Sequence, residues 1–150
     1  MKTAKITIDN AIICDDVRRE DNGKHLIIGG WALDFIVPSY PIDLTFIVRC
    51  EGSVLEGGKI EPRIKILDSS GGILYNSDNS SAPDESRFTK GRYGINFPAH
   101  VQATRSTTLS IYISMGEEEI LAAQRRVELF DTMKKERDEE VEILESEDDK

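Results

Sequence analysis

Residues 11–31 read AIICDDVRREDNGKHLIIGGW, in which two apolar runs are joined across Asn22-Gly23. An Asn-Gly pair between two such runs predicts a β-hairpin, because both central residues of a type I′ turn need a positive φ. Asparagine tolerates that conformation and glycine adopts it freely. This stretch therefore predicts a hairpin closed by a type I′ turn, and it favours a fold built from strands.

Alternation of apolar and polar residues recurs further along the chain. In residues 42–50, IDLTFIVRC, the even-numbered positions are all apolar and most of the odd-numbered ones are polar. Residues 63–68 and 109–115 alternate in the same way, and a short strand around Tyr93 is expected to end at Pro98. Short alternating runs separated by turn residues are typical of an all-β sandwich. We therefore expect a two-sheet antiparallel β-sandwich of about eight strands over residues 1–130.

Two segments are harder to assign. Residues 117–130 fit either one face of a helix or an interrupted strand, and a strand is favoured because Gly116-Glu117 offers a short turn after a strong strand. Residues 76–90 are rich in Ser, Asp and Asn and contain little to bury, so they predict a mobile loop.

Charge is concentrated at the C-terminal end. The chain carries a net charge of −9, of which residues 131–150, with ten acidic and four basic residues, contribute −6. Such a segment predicts a solvated tail that is partly helical or disordered. On a helix, Leu129, Met133, Val141 and Leu144 would share a face only if Arg137 filled the gap between them.

The composition of the chain argues against nucleic acids and membranes as binding partners. An acidic chain without a basic stripe is not expected to bind nucleic acid. No apolar run approaches the eighteen residues needed to cross a bilayer, and the N-terminal residues alternate instead of forming a signal peptide, so we expect no membrane association and a cytoplasmic location. Cys14 and Cys50 lack metal or redox spacing and are expected to be buried free thiols, a disulfide being possible only after export.

The opening of the chain resembles a family of uncharacterised bacterial proteins. The residues that carry the resemblance are Cys14-Asp15-Asp16-Val17-Arg18, Asn22-Gly23-Lys24, Ile28-Gly29-Gly30-Trp31, Pro38 and Pro41. The resemblance covers about the first fifty residues well and implies a β-sandwich domain of unknown function from a bacterium. It implies no catalytic or ligand-binding residues.

No catalytic constellation is evident in the sequence. His25 and His100 are its two histidines, and the glycine-rich, serine-elbow and zinc-binding motifs of common enzymes are missing from it. Cys14 as a nucleophile would need cationic neighbours, whereas Asp15 and Asp16 follow it directly. We therefore expect a protein that is not an enzyme and needs no cofactor.

The acidic pair in the hairpin predicts a structural role. Neighbouring residues of a strand point to opposite faces, so Asp15 and Asp16 enter one site only if the strand bulges or ends there. We expect one of them to pair with Arg18 or with backbone amides of the neighbouring strand, while Asn22 and Gly23 form the turn. A site for a partner, a metal ion or catalysis is the alternative reading of this pair.

Loop carboxylates raise the alternative of calcium binding. Asp16, Asp68, Asp78 and Asp84 fall at or near expected strand ends or loops, and sandwich loops can hold Ca²⁺ with several oxygen ligands. The chain lacks a short segment that supplies three or more such ligands, which weighs against this site.

Protein contacts are the leading functional hypothesis. Arg87, Phe88, Lys90 and Arg92 interleave basic and aromatic side chains, a pattern suited to an acidic partner or to the chain's own acidic tail, although a soluble connector is the simpler interpretation. We expect a noncatalytic bacterial module that binds an unknown protein partner through loops, an edge strand or the tail at residues 131–150. The alternative is a sandwich that binds calcium or a small ligand through its loop carboxylates.

Overall fold

The computed structural model describes residues 3–31, 33–77, 91–115 and 118–148. Within these residues the chain forms eleven β-strands followed by one α-helix, which confirms an all-β fold with a helical tail. The strands are β1 (Lys5–Ile6), β2 (Asn10–Cys14), β3 (Asp16–Arg19), β4 (His25–Ile28), β5 (Phe35–Val37), β6 (Ile42–Glu56), β7 (Arg63–Leu67), β8 (Ile73–Ser77), β9 (Gly91–Ala103), β10 (Thr107–Ser114) and β11 (Glu119–Leu129). The helix, α1, covers Phe130–Asp148.

The first sheet is built on β6, which is fifteen residues long. Strand β9 pairs with one side of β6, while β2 and β1 follow one another along its other side, all antiparallel. The alternating pattern ends at Cys50 in the sequence, yet the strand continues to Glu56. Backbone pairing carries it through Gly52 because hydrogen bonding between strands does not require an apolar side chain at each position.

The second sheet has the strand order β5-β11-β10-β7-β8. Neighbouring strands in this sheet are antiparallel except for β5 and β11, which run parallel. The prediction of a wholly antiparallel sandwich is therefore wrong at this edge. Parallel neighbours need a long connection, and here the chain between β5 and β11 passes through both sheets before it returns. The strands β3 and β4 form a separate two-stranded ribbon.

One hydrophobic core lies between the two sheets. From the first sheet, Phe46, Val48 and Phe97 are buried, and from the second sheet Ile64 and Ile111 pack into the same cluster. The inward face predicted for residues 42–50 is confirmed from position 44 onward, since its even-numbered side chains there are all buried. The sheets therefore stack face to face as a β-sandwich.

Two interruptions of the alternating pattern have local causes. In β11 the register shifts opposite Ile111 and Tyr112, so that Ala122 is an extra residue in the strand. This bulge changes which side chains point inward, and Leu121, which would share a face with Ala123 and Val127 in an unbroken strand, is 46% exposed. Strand β9 also continues through Pro98, where an end was predicted, because a proline is tolerated in a strand whose nitrogen faces away from the ladder.

The hairpin between β3 and β4 is confirmed, but its turn is of a different type. Gly23 has a φ of +84°, and no non-glycine residue in the described part of the chain has a positive φ. The backbone amide of Glu20 donates a hydrogen bond to the carbonyl of Lys24 at 2.8 Å, and the carbonyl of Glu20 accepts one from the amide of Gly23. The loop thus has three residues ending in a left-handed glycine, whereas type I′ would require a positive φ at Asn22 as well.

Part of the sequence predictions lies outside the described residues. The loop predicted for residues 76–90 is wrong at its first two positions, because Asn76 and Ser77 pair with β7 as the end of β8. Residues 78–90 of that loop and the predicted turn at Gly116-Glu117 lie outside the described residues. None of the described helical residues forms a segment long and apolar enough to cross a membrane.

Candidate functional site

The β3–β4 ribbon is attached to the sandwich through Asp15 and Trp31. The indole Nε1 of Trp31 donates a hydrogen bond to Asp15 Oδ1 at 3.0 Å. The Asp15 amide donates to the carbonyl of Ile28, and the Trp31 amide donates to that of Ile13. The Trp31 ring also lies 4.6 Å from the ring of buried Phe35, so the base of the ribbon is held against the core.

Gly29 makes this attachment possible. Its φ is +65°, and a Cβ at this position would lie 2.1 Å from Asp15 Oδ2. The Asp15 carboxylate therefore occupies the space that any other residue would fill. Sequence reasoning missed the pairing of Asp15 with Trp31, although a single tryptophan directly after two glycines was an available signal.

Asp15 and Asp16 have different partners and do not share a site. Asp16 accepts a hydrogen bond from the Val17 amide at 2.8 Å and pairs with Arg18 at 3.1 Å. Both charged side chains of that pair are largely accessible to water, so the pair contributes at most about 1 kcal/mol. Asn22 accepts a hydrogen bond from the Lys24 amide within the hairpin loop.

The candidate calcium ligands are not assembled among the described residues. Oδ1 of Asp68 accepts three hydrogen bonds of 2.7–2.9 Å within its own turn, from the amide and hydroxyl of Ser70 and the amide of Gly72. These bonds lower the pKa of the Asp68 carboxyl, and the bond from the Ser70 hydroxyl has the largest effect. In the described ranges no group of three or more His, Cys, Asp or Glu side chains could hold a metal ion, and Asp78 and Asp84 lie outside those ranges.

A buried arginine lies on the outer face of the first sheet. Arg49 is only 5% exposed, although the alternating pattern places it on the polar face of β6. Its Nε donates to Glu51 Oε1 at 2.9 Å, and its Nη1 donates to Asn96 Oδ1 at 2.9 Å. The guanidinium group lies over Gly94, where a Cβ would come within 2.4 Å of Nη2. Sequence alternation cannot predict this burial, because it depends on a glycine in another strand.

Both cysteines are free and buried. Burial raises the pKa of Cys14, and the negative charges of Asp15 and Asp16 raise it further against the opposite effect of Arg49. Burial in the core raises the pKa of Cys50 to about 12. The thiolate is the nucleophilic form of cysteine, so both side chains lie in environments that disfavour covalent catalysis.

We predict that neither thiol reacts readily in the folded protein. With a pKa of about 12, only about one Cys50 side chain in ten thousand is ionised at pH 8. Alkylation by iodoacetamide, followed by mass spectrometry, should be at least about 100-fold slower for both cysteines than in guanidinium-unfolded protein. Reaction of Cys14 at the unfolded rate would contradict this expectation and would revive it as a candidate nucleophile.

The predicted basic and aromatic contact surface is only partly described. Arg92 lies in β9, where its Nη1 contacts Asp9 Oδ2 at 2.5 Å and Ser53 Oγ at 3.4 Å. Its guanidinium group thus joins β9 to the segment between β1 and β2. The other members of the set, Arg87, Phe88 and Lys90, lie outside the described residues.

Four of the exposed apolar side chains in the described part of the chain lie on α1. Phe130 is 57% exposed, Val141 46%, Ile143 59% and Leu144 62%. The helix makes its main contacts with β11 and β5, the two strands nearest its start. At 1.5 Å per residue, nineteen helical residues extend about 28 Å, so most of α1 lies away from the sandwich.

A model of the family of unknown function DUF6941 matches residues 9–128. The chain belongs to this family. No curated protein and no solved structure matches the chain. The match begins one residue before β2 and ends one residue before the end of β11, so it covers the sandwich except for β1, which precedes it, and α1 follows it.

Proposed function

We propose that this DUF6941 protein is a noncatalytic module that acts through protein–protein contacts, with α1 as its contact element. The observation that carries the proposal is the exposure of Val141, Ile143 and Leu144, each about half accessible to water, on a helix that extends from the sandwich. Apolar side chains on one helical segment are what a partner surface buries when a helix is recognised.

The energetics of an isolated helix support the same reading. Most helical stability in proteins comes from packing of an apolar face, and a helix of this length is marginal by itself in water. The main contacts of α1 are at its start, with β11 and β5. Burial of Val141, Ile143 and Leu144 against a partner would therefore stabilise both the helix and the complex.

The chemistry of the cysteines supports a noncatalytic role and a reducing compartment. Cys14 and Cys50 are free, and the pKa of each thiol is raised. Free thiols in an apolar environment behave as small hydrophobic side chains. The bacterial cytoplasm, where disulfides are rare, is the location that suits them.

A pair of matched variants tests the function. In the helix variant, Val141→Ser, Ile143→Ser and Leu144→Ser remove the exposed apolar side chains of α1. The control carries Leu26→Ser and Ile73→Ser, which remove side chains of similar exposure, 48% and 62%, from the sandwich.

The measurement is affinity capture from a lysate of the source organism, quantified by mass spectrometry. We expect wild type and control to retain the same partner, and the helix variant to bind it at least about tenfold more weakly, since buried anchors each contribute 1–2 kcal/mol or more. Equal capture of the partner by the helix variant would show that the contact surface is not on α1. An empty profile for the wild-type protein would remove the support for a contact module.

A further inference from the structure

The charges of α1 are divided between its two halves. Its first half carries Lys134, Lys135 and Arg137 against Asp131 and Glu136, a net charge of +1, and every ionisable side chain from Asp138 to Asp148 is acidic, seven in all. All the described side chains of the helix from Lys134 onward are exposed. The helix therefore presents a basic segment and an acidic segment to solvent, one after the other.

This order opposes the helix dipole. The C-terminal end of a helix carries a partial negative charge, which basic residues stabilise and acidic residues destabilise. The last turn of α1 contains no basic residue. Lys134 and Lys135 lie four residues before Asp138 and Glu139, so they can pair with the start of the acidic segment. Lys134 lies eleven residues before Glu145, about 16 Å along the axis, so the end of the acidic segment has no basic side chain of the same helix within reach.

We propose that α1 binds α1 of a second copy of this chain in antiparallel orientation. This inference rests on the proposed function and names the partner of the same helix. In that arrangement the basic half of each helix lies beside the acidic half of the other. A parallel pair would place the two acidic halves together, and like charges on neighbouring helices destabilise the pairing.

The positions of the side chains fit this arrangement. Arg137, Val141 and Leu144 are four and three residues apart, so they form one stripe along α1. Lys134 and Glu145 are separated by about three full turns and flank the same side of that stripe. When two helices run antiparallel, Lys134 of one copy comes opposite Glu145 of the other, and the reciprocal pair forms at the same time.

The small contact area sets the expected strength. Two helices of nineteen residues bury less than the 1,200–2,000 Å² of a standard stable interface, so the pairing should be weak and reversible. Because its specificity comes from exposed charges, it should also weaken with salt.

The test is sedimentation of the full chain from about 5 to 500 μM, a range around the affinity expected of a small interface. One variant carries Lys134→Glu, Lys135→Glu and Arg137→Glu, and a second carries Glu140→Lys, Glu142→Lys and Glu145→Lys. We expect wild type to dimerise, each variant alone to dimerise at least about tenfold more weakly, and an equimolar mixture of the two to recover the lost affinity. Circular dichroism at 222 nm checks that both variants keep their helix.

Orientation is tested by cross-linking of Lys134→Cys and Glu145→Cys proteins, because the native thiols are buried. Antiparallel pairing predicts a disulfide between the two different variants when mixed, whereas self-cross-linking of each variant would overturn the orientation. A wild-type chain that stays monomeric, or dimers insensitive to both charge variants, would overturn the proposal. If the monomer still captures a different protein through Val141, Ile143 and Leu144, the proposed function stands without this inference. If it captures none, both fail.

Discussion

Replacing Gly52 with alanine is expected to lower the free energy of unfolding by about 3 kcal/mol or more. A Cβ at this position would lie 1.8 Å from the carbonyl oxygen of Thr7 and 3.0 Å from Cε1 of Tyr93. The Thr7 oxygen is backbone and also accepts a hydrogen bond from the Tyr93 hydroxyl at 2.9 Å, so it cannot move aside freely. The chain between β1 and β2 would have to separate from β6.

Urea denaturation followed by tryptophan fluorescence measures this change. Gly30→Ala is the matched control, because a Cβ there meets nothing within 4 Å and the backbone does not have a positive φ. We expect the control to unfold within about 0.5 kcal/mol of wild type. An unfolding midpoint for Gly52→Ala equal to that of the control would show that the contact with Thr7 is not rigid.

The second large effect is expected from Arg49→Leu, at about 2–4 kcal/mol. In the wild-type protein the guanidinium group donates hydrogen bonds of 2.9 Å to Glu51 Oε1 and to Asn96 Oδ1. Its removal leaves both oxygens without this donor. The Glu51 side chain is 32% exposed, which leaves its carboxylate only partly hydrated after the substitution. Breaking one side of a buried pair destabilises a protein mainly because the remaining charge stays desolvated.

A double-mutant cycle with Glu51→Gln separates this cause from lost packing. If the unpaired carboxylate is responsible, the double variant should be more stable than the sum of the single effects predicts, by about 1 kcal/mol. Additive effects would instead assign the loss to the contacts of the arginine stem. Both quantities come from the same denaturation measurements.

Alternation predicted the strands whose pairing follows it closely. Residues 42–50, 63–67 and 109–115 each have one face buried in the core, because a two-residue period matches the geometry of a strand between core and solvent. The hairpin at Asn22-Gly23 was predictable for a local reason, since glycine supplies the left-handed residue of the loop. Its turn type was not, because the conformation of Asn22 depends on how β3 and β4 pair.

Structural elements that depend on residues distant in sequence could not be predicted from the sequence. The bulge at Ala122 exchanges the two faces of β11, so neither a simple helical nor a simple strand pattern fits the whole segment. The short strand β5 has only three residues and is defined by its parallel pairing with β11. Such strands have no periodic signal of their own, because pairing with another strand determines them.

For the candidate sites, the sequence indicated which residues have a structural role but did not predict which side chains they contact. Asp15 and Asp16 were singled out together, yet the tertiary structure gives one to Trp31 and the other to Arg18. The charge division of α1 is present in the sequence, whereas the exposure of its charged side chains is seen only in the structure.

The sequence by itself determined that this chain forms a sandwich of alternating strands followed by a charged tail. Both properties follow from local rules, namely the two-residue period of a strand and the cost of burying charge. Tertiary structure alone decided that Arg49 is buried over Gly94, which has no side chain, and that Asp15 fills the space left by Gly29. It also decided that Val141, Ile143 and Leu144 of α1 are exposed. Those outcomes depend on atoms far apart in the chain, which no local pattern of residues specifies.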